Sequence, residues 1–447
     1  MINENLEKEW SLPLLFVLLR LFIIEKEIKK KKGIYIGNYV KEVVSLYTAI
    51  REDGSILNLF TIKDKQLLHS IRHSSFICPE CNGKLILKMG QKKITHFAHE
   101  KKAFCSRNGE AESYYHLKGK LDLYRKLEEL GINPVLEPYF SEIKQRADVG
   151  FYFQNKQYVI EFQCAIISPT LLKKRTEGYK KLNISPVWIL GFHNLKKWSP
   201  LKLKLSTFQY SFLQRYHHYN VLPTYCPNKE LFYFHFNPIP ISISQSFIYS
   251  FLLPLKNIKN FPITNTIFRM NQWKLEYWKE NISHQKTHHV HYPTKDNDRF
   301  LKELYRKEMH PHFLPPFIGI PIKSGYLFET PPLFWQSYLM IDTFYSEKQQ
   351  IKIYALQRIF ERFSSRISRG DIKVRTLPLI PSIDWKKGIE EYLTFLVQIG
   401  VLEEVKTKFF RLKSMPIPVN NYCFQEKMEN DFYETLRKYQ WNLIKDK

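Results

Sequence analysis

The stretch Ala147-Asp148-Val149-Gly150-Phe151-Tyr152-Phe153, followed by a polar turn and then Tyr158-Val159-Ile160-Glu161-Phe162-Gln163, decides how this chain is read. Both runs are short and rich in β-branched and aromatic residues. The intervening Gln154-Asn155-Lys156-Gln157 suits a hairpin of two or four loop residues. Either loop places Asp148 opposite Gln163 and Glu161 opposite Gly150. Side chains alternate along a strand, so Asp148, Glu161 and Gln163 share one face. Val149, Phe151, Phe153, Tyr158, Ile160 and Phe162 take the other face as core. Two carboxylates and a carboxamide above an apolar layer suit a hard divalent cation such as Mg²⁺ or Mn²⁺. Mg²⁺ commonly takes one or two carboxylates plus substrate phosphates. The plainer alternative is a hairpin whose polar face meets water, since surface Asp and Glu are common.

The flanking segments extend the pattern. Gly109 to Leu130, stopped by Gly131, reads as one helix with Glu112, His116 and Lys120 on a polar stripe and Leu117, Leu121 and Tyr124 on an apolar one. A strand is expected over 135–140. Ser168-Pro169 opens a second helix reaching about Leu182 and carrying Lys173, Lys174, Arg175 and Tyr179. Pro186-Val187-Trp188-Ile189-Leu190-Gly191 then reads as a buried strand. Helix, strand, hairpin, helix and strand make a small α/β unit.

Upstream lie Cys78-x2-Cys81, His96-x2-His99 and Cys105. Zinc favours four thiolate or imidazole ligands in a tetrahedron, and a Cys-x2-Cys knuckle supplies two. The expected set is Cys78, Cys81, His99 and Cys105, with His96 as the alternative histidine. Four protein ligands leave no open position, so this zinc is expected to be structural. The remaining cysteines, Cys164, Cys226 and Cys423, are dispersed, which argues against a disulfide framework.

Helix Glu, then Asp, then Glu-x-Gln, in this order, resembles the core of PD-(D/E)XK nucleases. More narrowly, Cys78-Pro79-Glu80-Cys81, His96-Phe97-Ala98-His99, Glu112-Ser113 with His116 and Lys120, Arg146-Ala147-Asp148-Val149, Ile160-Glu161-Phe162-Gln163, and Arg175 with Tyr179 before Trp188-Ile189-Leu190-Gly191 resemble the competence protein CoiA family. The likeness is dense from about Tyr47 to His193. It implies a PD-(D/E)XK restriction-endonuclease-like core preceded by a small zinc-binding module, with a mostly α-helical C-terminal region. It also implies action on transforming DNA, taken as single-stranded, during uptake or recombination, with a RecA-type recombinase as a candidate partner.

Many nucleases of that fold carry lysine two residues after the second carboxylate. Here Gln163 stands there, and it can neither carry charge nor take a proton at neutral pH. Lys120, then Lys173, are the candidate substitutes. Asp148 and Glu161 are expected to hold Mg²⁺. Glu112 would bind a second ion or orient water, and His116 would donate to a phosphate oxygen or the leaving group. Two functions stay open: a metal-dependent DNA nuclease, and a non-catalytic DNA-binding recombination accessory with a nuclease-like fold.

Charge agrees with a nucleic-acid partner. Lys and Arg exceed Asp and Glu by 25, and such an excess favours a polyanion without specifying sequence, with Lys173 and Arg175 on the second helix as candidate DNA contacts. At 447 residues, several domains are expected. They are an N-terminal extension over 1–45 (read as a start assigned too early), a zinc-finger-like domain over 46–108, a nuclease-like domain over 109–195, and a basic, aromatic-rich, mainly helical region over 196–447. Ser11 to Ile24 is apolar apart from Arg20 but short for a bilayer span, and no small-residue cleavage site follows. Cytoplasmic location without membrane association or a small-molecule cofactor is therefore expected. In the C-terminal region, Ser346 to Ser368 reads as a helix whose Arg358, Arg362, Arg366 and Arg369 form a candidate phosphate-tracking stripe opposite Leu356, Ile359, Phe360, Phe363 and Ile367. A closing amphipathic helix is expected over 430–444.

Overall fold

The computed structural model describes residues 48–438 except 60–61, 63, 80, 90–94, 101–112, 196–200, 217–218, 260–274, 292–294, 346–351, 381–383 and 414–420. Glu112, Cys105 and the 1–45 extension lie outside the described residues. The first layer is an antiparallel sheet of β1 (Thr48–Arg51), β2 (Ile56–Asn58), β3 (Phe76–Ile77), β4 (Lys84–Lys88) and β5 (His96–His99), in the order β2-β1-β3-β4-β5, with a short helix α1 (Lys65–Ser70) between β2 and β3. In β4 the buried Leu85 and Leu87 alternate with exposed Lys84, Ile86 and Lys88, the pattern of a sheet wet on one side.

Helix α2 (Tyr114–Glu129) starts where the Ser113 hydroxyl accepts the His116 N–H and stops before Gly131 at φ +73°. Gly119 lets this helix approach the sheet. A Cβ there would lie 2.0 Å from the Phe162 ring, so only glycine allows the contact that lowers the His116 turn onto the hairpin. Full burial of the Phe162 side chain contributes about 1.5–3 kcal/mol.

The strand expected over 135–140 is two pieces, β6 (Val135–Leu136) and β7 (Tyr139–Phe140), because Glu137 between them takes a left-handed conformation at φ +53°. β7 pairs with β8 (Gln145–Arg146) in a separate two-stranded ribbon, while β6 pairs with β9 (Val149–Phe153).

The hairpin of β9 and β10 (Lys156–Gln163) exists, but its register differs from expectation. Phe153 faces Lys156 and Val149 faces Ile160. The loop is Gln154-Asn155, both left-handed at φ +47° and +58°, as a two-residue turn with mirror-image twist requires. The offset is even, so every side chain keeps its expected face. The next step of this register sets Asp148 beside Glu161 rather than Gln163.

Helix α3 (Pro169–Lys181), capped by Ser168, crosses to β11 (Ser185–Gly191), which lies parallel to β10. The sheet does not stop near residue 195. β12 (Lys202–Lys204), a short helix α4 (Thr207–Ser211), β13 (Gln214–Tyr216), β14 (Tyr219–Cys226), β15 (Leu231–Pro240) and β16 (Gln245–Pro254) follow, and the strands complete the order β12-β16-β15-β14-β11-β10-β9-β6, with β13 on β14. The first part of the region expected to be mainly helical is thus mostly strand, with aromatic side chains such as Phe232, Phe234 and Phe236 buried along β15.

Helices dominate afterwards: α5 (Leu275–His291), α6 (Lys295–Arg306), α7 (Pro332–Thr343), α8 (Leu356–Ser368), α9 (Lys386–Gln398) and α10 (Tyr422–Lys438). A small sheet of β17 (Tyr354–Ala355), β18 (Leu402–Lys406) and β19 (Phe409–Leu412) packs among them. Among the described residues no helix is long and apolar enough to cross a membrane. Residues 45–447 form one compact unit, and one apolar core joins Cys78 and Phe97 of the first sheet to Leu117, Leu121 and Phe162.

Candidate active site and metal centre

Asp148 and Glu161 stand side by side at the end of β9 and in β10, each held through a single oxygen. Asp148 Oδ2 accepts the Phe162 N–H at 2.8 Å and lies 3.2 Å from His116 Nε2. Glu161 Oε1 accepts from Arg175 Nη2 at 2.5 Å and from the Tyr179 hydroxyl. The other oxygen of each carboxylate has no hydrogen-bond partner among the described residues.

The two acids titrate in opposite directions. Burial pushes Asp148 up, but the His116 charge and hydrogen bond, Lys120 and the Phe162 amide outweigh it and lower the carboxyl to about 2. Burial pushes Glu161 up; Arg175 opposes this, the nearby Asp148 carboxylate adds to it, and the net direction is upward.

Behind this pair lies a second charged cluster with no sequence signal. Lys120 Nζ donates to Glu137 Oε1 at 2.6 Å, both side chains being 0% exposed. Glu137 Oε2 accepts from Thr48 Oγ1 at 3.1 Å and lies 3.4 Å from Arg146 Nη1. Thr48 belongs to β1, so the cluster ties the N-terminal sheet to the α/β core. Lys120 donates to Glu137, and its charge also acts on Asp148. Gln163 itself turns back, donating from Nε2 to Ala165 O at 2.8 Å.

Of the residues expected to meet DNA, Arg175 instead holds Glu161, because α3 lays its buried side over β10. Lys173, on the exposed side of α3, lies 3.8 Å from Glu177 and remains at the surface. Arg358 is 75% exposed beside Glu361. Arg362 donates to the Asp342 carbonyl and lies 4.8 Å over the Tyr354 ring. Arg366 does not belong to a solvent-facing stripe. Its side chain is 6% exposed and meets Glu303 and Asp342, supplied from distant segments, and Asp371, just past the end of its own helix.

Three of the residues expected to ligate zinc also come together. The ligand atoms of Cys78, Cys81 and His99 all lie within 4.8 Å of one another, with Cys81 Sγ 3.2 Å from His99 Nε2. The knuckle turns through Asn82, at φ +56°, whose N–H bonds to the Cys78 carbonyl. His96 and His99 are three apart on β5 and so face opposite sides, which selects His99. The three side chains can hold a metal ion.

The comparison with known proteins follows this geometry. The competence protein CoiA N-terminal, nuclease-like and C-terminal domain models match residues 60–108, 112–268 and 274–422. The Bacillus subtilis (strain 168) protein named competence protein CoiA is 30% identical over 365 residues, 79% of this chain and 94% of that protein. This chain belongs to the CoiA family. No solved structure matches it. The CoiA nuclease-like match spans α2 through β16, and so includes His116, Lys120, Glu137, Asp148, Glu161, Arg175 and Tyr179. The CoiA C-terminal match covers α5 through α9, which the sequence motifs did not reach.

Proposed function

We propose that this chain is a metal-dependent phosphodiester hydrolase acting on DNA, single-stranded by preference, during uptake or recombination. The observation that carries this reading is the pairing of Asp148 with Glu161, each keeping one carboxylate oxygen without a hydrogen-bond partner among the described residues. Two hard oxygen donors fit Mg²⁺ or Mn²⁺. Such an ion supplies an activated water and neutralises charge building on the phosphoryl oxygens. Asp148 and Glu161 would hold it; His116 fixes the Asp148 side chain, and Arg175 and Tyr179 fix Glu161. The nuclease-like domain match and the excess of 25 basic residues support DNA as the substrate. Glu112 keeps its proposed role beside a second ion or the water. For the N-terminal centre we propose structural zinc on Cys78, Cys81 and His99, completed by Cys105.

The accessory reading has one specific observation in its favour. Gln163 carries no charge and is tied to Ala165, and Lys120, though its charge acts on Asp148, donates to the buried Glu137. Purified chain incubated with labelled single- and double-stranded DNA in Mg²⁺, Mn²⁺ or EDTA separates the two. The hydrolase reading expects metal-dependent cleavage, lost in Asp148→Ala and Glu161→Ala with salt-sensitive binding retained. Gln163→Lys should preserve or raise the rate. Wild type and Gln163→Lys both binding DNA yet inert with every metal would establish the accessory role.

A further inference from the structure

Far along the chain from the carboxylate pair, a cavity of about 470 Å³ opens between the tip of the β15–β16 hairpin, α5, the start of α7 and the segment 370–373. Its size falls within the range of small-molecule sites. Gln285, on α5, is 8% exposed and lines it. The Gln285 Nε2 donates to the Ile241 carbonyl at 3.0 Å, which fixes the amide orientation, and its Oε1 is buried without a hydrogen-bond partner among the described residues. A buried acceptor left unmet costs free energy that a ligand N–H would recover. Phe334 and Tyr338 supply buried aromatic surface beside it. Glu329, half-buried, adds a second acceptor, its carboxylate also acting electrostatically on the buried Arg375.

The outer lining has the opposite character. Arg299, Lys373, His284 and His288 are exposed donors on the same cavity. Asp371, the acid beside Arg299 at 2.9 Å, is itself buried and shared with Arg366 and Arg369. Acceptors and aromatic rings inside, with cationic donors outside, fit a flat ligand that carries N–H groups at one end and an anion at the other. We propose that this cavity binds one nucleotide, base inward against Gln285 and phosphate outward against Lys373 and Arg299. Bases with amino groups meet the two acceptors; thymine, with a single ring N–H, meets them less well. The inference stands on the cavity alone and does not depend on hydrolysis at Asp148 and Glu161.

The test is calorimetric titration of the full chain with the four deoxynucleoside 5′-monophosphates, with nucleosides and inorganic phosphate as controls. Saturable binding of the monophosphates is expected, at least tenfold tighter than either control and weakest for thymidylate. Lys373→Ala, an exposed change, and Gln285→Met should each weaken it at least tenfold at unchanged melting temperature, while Asp148→Asn should leave it intact. A short single-stranded oligonucleotide that displaces the nucleotide identifies a DNA strand as the source; failure to displace identifies a free nucleotide. No saturable nucleotide binding by the folded chain, or binding indifferent to Lys373→Ala, overturns the proposal.

Discussion

Arg175 Nη2 and Glu161 Oε1 lie 2.5 Å apart in a site where Glu161 is almost wholly buried. Removing the guanidinium strands a carboxylate, which typically costs about 3–5 kcal/mol. Arg175→Met should therefore lower unfolding stability by about 3 kcal/mol, the lower end because Arg175 is partly exposed. Glu161 already titrates above its ordinary 4.5, and the variant raises it further. A folded acid with a raised pKa favours the protonated form, so its stabilisation is complete below the unfolded value and lost as pH rises through the folded one. The deficit of Arg175→Met should accordingly shrink as pH falls through the folded value of Glu161, which lies above 4.5, in urea titrations at a series of pH values. A deficit independent of pH would place the loss elsewhere.

Tyr179→Phe keeps that ion pair and deletes only the hydroxyl. Groups that orient a metal ligand typically contribute 10–100-fold to affinity or activity. A fall in Mg²⁺-dependent cleavage of about that size, with stability reduced by only about 1.5–3 kcal/mol, is expected. Unchanged cleavage at saturating and limiting Mg²⁺ would remove Tyr179 from the machinery.

Asp148 behaves oppositely. Its pKa is lowered from 3.8 to about 2, so its contribution is present above pH 4 and disappears as pH falls toward 2. That contribution is about 2 kcal/mol. His116→Ala removes its leading favourable partner, and the acid limb of the stability curve should flatten while neutral stability drops. An acid limb identical to wild type would contradict the pairing.

The metal centre makes a sharp distinction between two histidines. His99→Ala should release the metal, whereas His96→Ala should retain it, because strand alternation puts only His99 beside Cys78 and Cys81. Metal analysis of the purified variants decides this, and about one zinc per chain is expected in wild type. Loss of metal in the His96 variant alone would reverse the assignment.

Arg366 and its helical neighbours should separate cleanly. Arg366→Met leaves Glu303, Asp342 and Asp371 facing one another and should destabilise the fold by about 3–5 kcal/mol. Arg358→Glu with Arg362→Glu, nearer the surface, should weaken DNA binding and flatten its salt dependence with a smaller effect on melting. Unaltered affinity in that double variant would limit both residues to a solvated face.

Period-two alternation made the faces of the hairpin legible, and helical spacing brought His116 toward Asp148. The register was not legible, because Gln154-Asn155-Lys156-Gln157 admits more than one turn and the polar residues do not rank them. The even offset preserved the faces while changing the partner of Asp148. Glu137 was invisible for a different reason: it sits at a left-handed break between two-residue strands, where no periodicity marks it. Arg366 obeyed the helical spacing of a surface stripe, yet Glu303 and Asp342 from two other helices help to bury it, and nothing local to α8 announces them. Gln285 and its cavity depend on elements separated by up to 132 residues, from Ile241 to Lys373, a scale that pattern reading does not span.

The parallel pairing of β11 with β14 also bears on how this protein can be divided. A fragment ending near residue 195 would leave β11 as a bare, apolar edge with Trp188, Ile189 and Leu190 beside it, inviting intermolecular strand addition. Cutting after β16 instead keeps β14, β15, β16 and the short β12 in place, so the lateral margin is the three-residue β12 with its two lysines. A soluble fragment holding the Asp148–Glu161 pair should therefore extend past Pro254, and shorter pieces should precipitate even with both carboxylates intact.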